Sequence, residues 1–206
     1  MAPLWRLGGE VLSSKEHVRT AREFAIRVAA EPDEVAQRAA DLLTGAVVVH
    51  SWSSTLVAVV AAAGVRAVCA RSEPGGEGVT TAARLADMGV DARLVEDEEA
   101  RAAVSGAGAV VMGADAVGPA GVINKIGTRA LAEEARRHGT PCYAVAGASK
   151  LLGADLPAAE PFERTPLDLF TLMITSDGAL PPEEVAPRAS NHTVHPLLRH
   201  LLEKRN

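Results

Sequence analysis

The chain has 206 residues, 48% of them hydrophobic and 23% charged, with a formal charge of −5 and a pI near 5.7. That much apolar material suits one compact globular domain, and the acidic balance leaves no excess of basic residues to hold nucleic-acid phosphates, so no direct nucleic-acid partner is expected. No apolar run approaches the ~18 residues that span a bilayer and "MAPLWRLGGEVL" lacks the apolar core of a signal peptide, so the expectation is a cytoplasmic protein with no membrane partner.

In chain order, "SSKEHVRTAREFAIRVAA" and "EPDEVAQRAADLL" carry apolar residues at three- and four-residue spacing. Ser13 or Ser14 and Pro32 serve as start signals, which predicts two helices. From Gly45 the rhythm changes. The short apolar, β-branched runs "AVVVH", "VRAVCA", "DARLV", "AVVMG" and "CYAVAG" alternate with the helical patterns "STLVAVVAAAG", "TTAARLADMG" and "RALAEEARRHG". Continuous apolar strands separated by helices predict an α/β fold, a Rossmann-like, mostly parallel sheet with helices on both faces. The helical stretch 1–44 precedes it as a short N-terminal segment, and 45–206 forms the domain proper. Further on, "TPLDLFTLMIT" opens with a Thr-Pro helix signal and ends as a strand, and "GADLPAAEP" is a loop. "DGALPPEEV" reads as a turn followed by a short helix, and "HPLLRHLLEKR" as an amphipathic terminal helix. The two cysteines, Cys69 and Cys142, fall in apolar strands and read as reduced core thiols.

In such a sheet ligands bind outside the carboxyl ends of the strands, where loops enter helix N-termini. Three loops qualify. "HSWSST" offers the hydroxyls of Ser51, Ser53 and Ser54 beside free helix-start amides, an anion cradle or an ordinary serine cap. "ARSEPGGEGVTT" places three glycines beside Arg71 but lacks the pattern of a phosphate loop or dinucleotide fingerprint, so a plain turn is the simpler reading. "GADAVGPAGVINKIGT" sets Asp115 directly after a buried strand, where a carboxylate is costly unless bonded or functional, and follows it with Asn124 and Lys125 at the mouth of a helix. His50 ends the first strand; its unperturbed pKa near 6.5 suits proton transfer, although a strand-end histidine is more often a bonded core residue. His192 and His195 have no carboxylate at ligand spacing, so no metal is expected. The serine loop lacks the flanking glycines of a nucleophile elbow, which removes a hydrolase reading.

The run "GADAV…GVINKIGTRALAEEARRHGTPCYAVAGASK" resembles the family that joins the α, β and δ subunits of translation initiation factor 2B to methylthioribose-1-phosphate isomerase and ribose-1,5-bisphosphate isomerase. The resemblance runs from about Gly45 to Gly178, and nothing before Gly45 is recognised in it. It implies a Rossmann-like domain that pairs as a homodimer. In the isomerase branch an aspartate at the "GAD" position and a cysteine in the strand-end loop move protons while an aldose phosphate becomes a ketose phosphate, and the Asn-Lys pair holds substrate. Here Asp115, Asn124, Lys125, Gly113 and Gly127 match, but Ser51 stands where the isomerases have cysteine. A thiol of pKa ~8.5 exchanges protons near neutrality and an alcohol does not. The family's Ser-Arg-Pro appears as Ser72-Glu73-Pro74, which removes a phosphate-binding arginine and leaves Arg71 next door.

The candidate catalytic residues are therefore Asp115 and Ser51, and the candidate binding residues are His50, Ser53, Ser54, Arg71, Gly113, Asn124 and Lys125. The favoured expectation is an initiation factor 2B-like regulatory or binding protein with a pocket for a phosphorylated sugar or nucleotide. The alternative is an aldose-ketose sugar-phosphate isomerase that uses Asp115 with a proton donor other than cysteine. Neither requires a cofactor. A homodimer is expected on two grounds: the resemblance, and apolar faces at "LDLFTLMI" and "HPLLRHLLEKR" that a lone sheet edge cannot cover.

Overall fold

The computed structural model describes Ala2 to Glu203, with side chains as far as Leu201. Two helices come first, α1 (Ala2–Ser13) and α2 (His17–Ala39). The second corrects the sequence expectation of two helices divided at Pro32: the chain runs through this proline as one helix of 23 residues. An interior proline costs a helix ~3 kcal/mol and leaves the carbonyl four residues earlier without its donor. Here Phe24, Glu31, Val35, Ala36 and Ala39 form a continuous buried face that holds the helix together across the break. Val28, whose carbonyl loses its donor, borders a cavity together with Pro32, so water can reach it. Helix α1 was not anticipated because Gly8 and Gly9 depress helix propensity. They stand there for packing, since a Cβ on Gly8 would lie 3.0 Å from Leu198 Cδ1.

The remaining elements are β1 (Val47–His50), α3 (Ser54–Ala63), β2 (Ala67–Ala70), α4 (Glu77–Asp87), β3 (Ala92–Val95), α5 (Asp97–Ala103), β4 (Ala109–Met112), β5 (Ala116–Gly118), β6 (Gly121–Lys125), α6 (Thr128–His138), β7 (Cys142–Ala146), β8 (Phe162–Thr165), β9 (Leu172–Thr175), β10 (Gly178–Leu180), α7 (Pro182–Ser190) and α8 (Pro196–Glu203). The large sheet has the order β10-β9-β7-β4-β1-β2-β3. All its pairings are parallel except that of β10 with β9. The strands are short and apolar because both faces are covered. Val47 and Val49 belong to one core cluster with Val35 of α2 and Leu56, Val59 and Val60 of α3, whereas Val48 belongs to another with Leu131, Ala132 and Ala135 of α6. Cys69 and Cys142 lie in these two separate core clusters on opposite faces, and burial pushes both thiols up to about 12.

Three other segments differ from the sequence expectation. The stretch after Asp115 is a hairpin, β5 with β6, which β8 extends into a second, antiparallel sheet of three strands. The Gly-Pro turn between two apolar runs was its signal. "TPLDLFTLMIT" makes only a single 3-10 turn at Leu167–Leu169 before β9, because Leu169, Phe170, Met173 and Ile174 are all buried in the chain's own core. That segment therefore offers no uncovered apolar face. Helix α8 does, with Leu197 and Leu201 exposed; Lys204 and Arg205, also expected in this helix, lie outside the described residues.

Candidate functional site

From β1 the chain winds outward through β2 and β3, and from β4 it winds the other way through β7 and β9, so the strand order reverses between β1 and β4. A crevice opens outside the carboxyl ends of strands at such a point. The loop leaving β1 and the loop leaving β4 meet there so closely that a Cβ on Gly113 would lie 2.6 Å from Ser53 Cβ. Above this contact is a cavity of about 230 Å³ whose wall includes Trp52, Ser53, Ser54, Asp115, Asn124 and Lys150.

Four of these residues are held in place by hydrogen bonds of their own. Ser53 caps α3, its hydroxyl accepting the amide of Leu56 at 3.4 Å. Asp115 is set by its amide, which donates to the carbonyl of Ile123 at 2.8 Å, and by its carbonyl, which accepts from Ala2 at the start of α1 at 3.2 Å. Asn124 is buried and donates to Thr128 Oγ1 at 2.9 Å, while that hydroxyl donates to the carbonyl of Lys125 at 2.7 Å. Lys150 donates from Nζ to the carbonyl of Ala114 at 2.7 Å. Burial lowers its pKa, and the negative charges of Asp115 and Glu31 pull it partly back.

Lys150 and Glu31 were not selected from the sequence. Lys150 had a signal, since it follows β7 and the rule that picked out the other loops applies to it equally. Glu31 had none; it is an acid in mid-helix before a proline. Its carboxylate is nevertheless buried, accepting from the amide of Ser149 at 2.7 Å and its hydroxyl at 2.6 Å. Gly147 makes the room, because a Cβ there would lie 1.9 Å from Glu31 Oε2.

Other candidates are carried elsewhere. Successive residues of a strand face opposite ways, so Asn124 and Lys125 part at the end of β6. Lys125, 2% exposed, sends its ammonium under the β2–α4 loop to Glu77, at 2.6 and 2.9 Å, and to the carbonyl of Pro74. It does not stand at a rim. Arg71 turns outward to Glu96, at 2.9 Å. His50 faces the α6 side, with Nε2 2.9 Å from the carbonyl of Ile126 and Nδ1 3.1 Å from Ser72 Oγ. Burial lowers its pKa, so the neutral ring donates from Nε2 and accepts at Nδ1. Ser51 is buried in a left-handed turn at φ 62°, held by its amide to Ser72 Oγ and by its carbonyl to Thr81 Oγ1, both at 2.7 Å. Its side chain is not part of the cavity wall. Among the described residues no group of three or more potential ligands gathers as a metal site, and no helix is long and apolar enough to cross a membrane.

Fold and cavity together define a doubly wound α/β protein with a polar crevice at its switch point. Comparison with known proteins makes this specific. The sequence profile of the "Initiation factor 2 subunit family" matches residues 9–154, and the chain belongs to that family. The match begins well before Gly45, which corrects the expectation that the N-terminal segment lies outside the resemblance. Among characterised relatives, a ribose 1,5-bisphosphate isomerase of Haloferax volcanii is 37% identical over 65% of this chain and 44% of its own length. Another, from Archaeoglobus fulgidus, is 28% identical over 86% of this chain and 68% of its own. The chain thus spans less than half of the first relative. A solved structure of the Pyrococcus horikoshii translation initiation factor eIF-2B superposes with a TM-score of 0.80 at 25% identity, covering 90% of this chain and 78% of that one.

Two outcomes follow from the geometry. Lys125→Ala removes a buried ammonium that holds the β2–α4 loop, and hydrogen bonds to charged groups are worth ~1.5–3 kcal/mol. Urea denaturation is expected to show a loss of that order; unchanged stability would mean that the Glu77 contact holds nothing. For His50, the lowered folded-state pKa means that below the ordinary value of 6.5 the unfolded chain takes up a proton that the folded chain refuses. This contribution is fully present above that pH and is lost as the pH falls through and below it. Between pH 7.5 and 5.5 the wild type is expected to lose more stability than His50→Gln, and equal losses would refute the assignment.

Proposed function

We propose that the crevice binds a phosphorylated sugar and that the chain is an aldose-ketose sugar-phosphate isomerase of the ribose 1,5-bisphosphate type. The observation that carries this reading is the convergence of Asp115, Asn124 and Lys150 on one cavity at the switch point, in a chain whose characterised relatives are ribose 1,5-bisphosphate isomerases. The ligand's phosphate meets the first turn of α3, where Ser54 and its neighbours present hydroxyls and helix-start amides to an anion. Asn124 and Lys150 supply donors to the sugar oxygens. The ring C1–O4 bond of the aldose phosphate breaks, Asp115 takes the proton from C2 and returns one to C1, and the proton of the O2 hydroxyl ends on the released O4 as C2 becomes the carbonyl, so the carboxylate ends the cycle as it began. Lys150, with its pKa lowered by burial, lies where a cationic donor stabilises negative charge developing on the sugar oxygen. Ser51, Lys125, His50 and Arg71 brace the surrounding loops. A phosphate that reached Lys125 would first have to displace Glu77.

A second reading, a sugar-phosphate or nucleotide binding subunit without turnover, draws support from Ser51, which stands where the isomerases have cysteine and is not among the residues of the cavity wall. In either reading the partner is a second copy of the chain, docked through the exposed Leu197 and Leu201 of α8. The deciding experiment follows ribose 1,5-bisphosphate by NMR with wild type and Asp115→Asn. Turnover by the wild type that falls about 10²–10⁴-fold in the variant is the expected result. Equal turnover in both would contradict the role of Asp115, whereas calorimetric binding without turnover would establish the second reading.

A further inference from the structure

The turn that carries Lys150 is fastened from outside the strand that leads into it. It is a single 3-10 turn, Ala148–Lys150, between β7 and the crevice. The amide of Ala148 donates to Ser176 Oγ, just after β9, at 2.9 Å. Arg6 of α1 donates from Nη1 to the carbonyls of Ala148 and Leu151, at 3.3 and 3.2 Å. Glu31 of α2 receives both the amide and the hydroxyl of Ser149, and the amide of Lys150 donates to the carbonyl of Gly147 at 3.0 Å. With its backbone fixed in this way, Lys150 reaches across to the carbonyl of Ala114, next to Asp115.

Of these fastenings, Glu31 alone also borders the crevice; Arg6 and Ser176 line only the cavity behind the turn, which Glu31 shares. A neutral side chain could make the same two bonds. The carbonyl of a glutamine accepts from an amide, and a hydroxyl both donates and accepts, so Ser149 Oγ could turn to meet the glutamine's NH₂. A buried carboxylate costs more than a buried amide unless its charge is answered. Two cations that it does not bond directly answer it, Arg6 behind the turn and Lys150 in front. For Lys150 the charge has a consequence, because burial works against an ammonium there. The carboxylates that oppose this are Asp115, from the loop after β4, and Glu31, from α2. Asp115 gains and loses a proton during the proposed cycle, so its charge is not constant. Glu31 has both oxygens turned to Ser149 and exchanges no proton with the sugar.

We infer that Glu31 is a positioning residue: its carboxylate locks the turn that aims Lys150, and it is the constant negative charge that keeps this side chain an ammonium at the crevice. The inference rests on the reading of Lys150 as the cationic donor of an aldose-ketose isomerase. It also gives the N-terminal helix pair, which supplies Arg6 and Glu31, a task in the chemistry.

Two variants separate charge from reach. Glu31→Gln keeps the shape and removes the charge, and Glu31→Asp keeps the charge and shortens the side chain. Thermal melting shows whether each remains folded. The first measurement is a pH titration of the side-chain carbons of ¹³C-labelled lysine; the chain has only Lys15, Lys125, Lys150 and Lys204, and Lys150→Arg identifies the signal of interest. In Glu31→Gln the Lys150 signal is expected to titrate at lower pH than in the wild type, with Lys15 unmoved, and in Glu31→Asp to stay near its wild-type position. The second measurement is turnover of ribose 1,5-bisphosphate against pH. In Glu31→Gln the fall of kcat on the alkaline side is expected to move to lower pH with Lys150. In Glu31→Asp kcat is expected to drop at every pH, by up to ~10²-fold for a misplaced group, with KM changing less. An unmoved Lys150 titration in Glu31→Gln would overturn the inference, since the acid would then do nothing that an amide cannot. Wild-type kcat at every pH in Glu31→Asp would overturn the locking of the turn. If the wild type shows no turnover but the Lys150 titration moves as expected, the isomerase reading falls and the hold of Glu31 on Lys150 stands.

Discussion

At the carboxyl ends of β1 and β4 the two halves of the sheet approach so closely that no space is left for a side-chain carbon. Gly113, at the end of β4, packs on Ser53, at the start of α3, so tightly that a Cβ would lie 2.6 Å from that of the serine. Much else depends on this contact. It brings the loop carrying Asp115 against the serine loop, and it fixes the floor of the crevice where the strand order reverses. Any larger residue at position 113 would wedge the loops apart and separate the acid from the helix start. The crevice is therefore a product of backbone packing, and its side chains are placed upon it.

Charge is distributed around this floor in a way that singles out one place for an anion. Several groups that could receive a phosphate are already occupied by the chain's own carboxylates. Glu163 accepts the amides of Gly127 and Arg129 at the start of α6, at 2.8 and 2.9 Å. Asp97 accepts those of Ser72 and Glu73, at 2.6 and 2.9 Å, and Glu77 takes Lys125. At α3, by contrast, the cap satisfies the amide of Leu56 with a neutral hydroxyl and the helix's first turn carries no acid of its own, the nearest carboxylates being Asp115 and Glu31 of the cavity wall. An anionic ligand entering the crevice thus gains most there, with Lys150 across the cavity to balance its charge.

Much of this was legible in the sequence because the large sheet has both faces buried. Short, continuous apolar strands separated by helical patterns admit few other architectures, and the rule that ligands gather at strand carboxyl ends led directly to the loops of Ser53 and Asp115. What was hidden depended on tertiary context. Pro32 is a helix breaker by propensity, yet the buried face of α2 overrides it. Asn124 and Lys125 are neighbours in sequence, but strand alternation sends one to the cavity and the other under a loop, and only the pairing of β6 with β5 and β8 reveals that they lie in a strand. Glu31 comes from a helix more than 80 residues before Asp115 in the chain. No local pattern announces that its carboxylate fills the space left by Gly147.

The central claim is that ligand meets protein at the β1–β4 crevice and nowhere else on the sheet's carboxyl edge. A second cavity, also of about 230 Å³ and bordered by His50, Asp97 and Arg101, lies on the opposite side of β1 and provides the contrast. Titration of ¹⁵N-labelled protein with ribose 5-phosphate, followed by amide chemical shifts, separates the two directly. The account predicts the largest shifts at Ser53, Ser54, Thr55, Asp115, Asn124 and Lys150, with Arg101 and Ala130 unmoved. Shifts centred on Arg101, Gly127 and Ala130, with Ser54 and Asp115 unmoved, would contradict it.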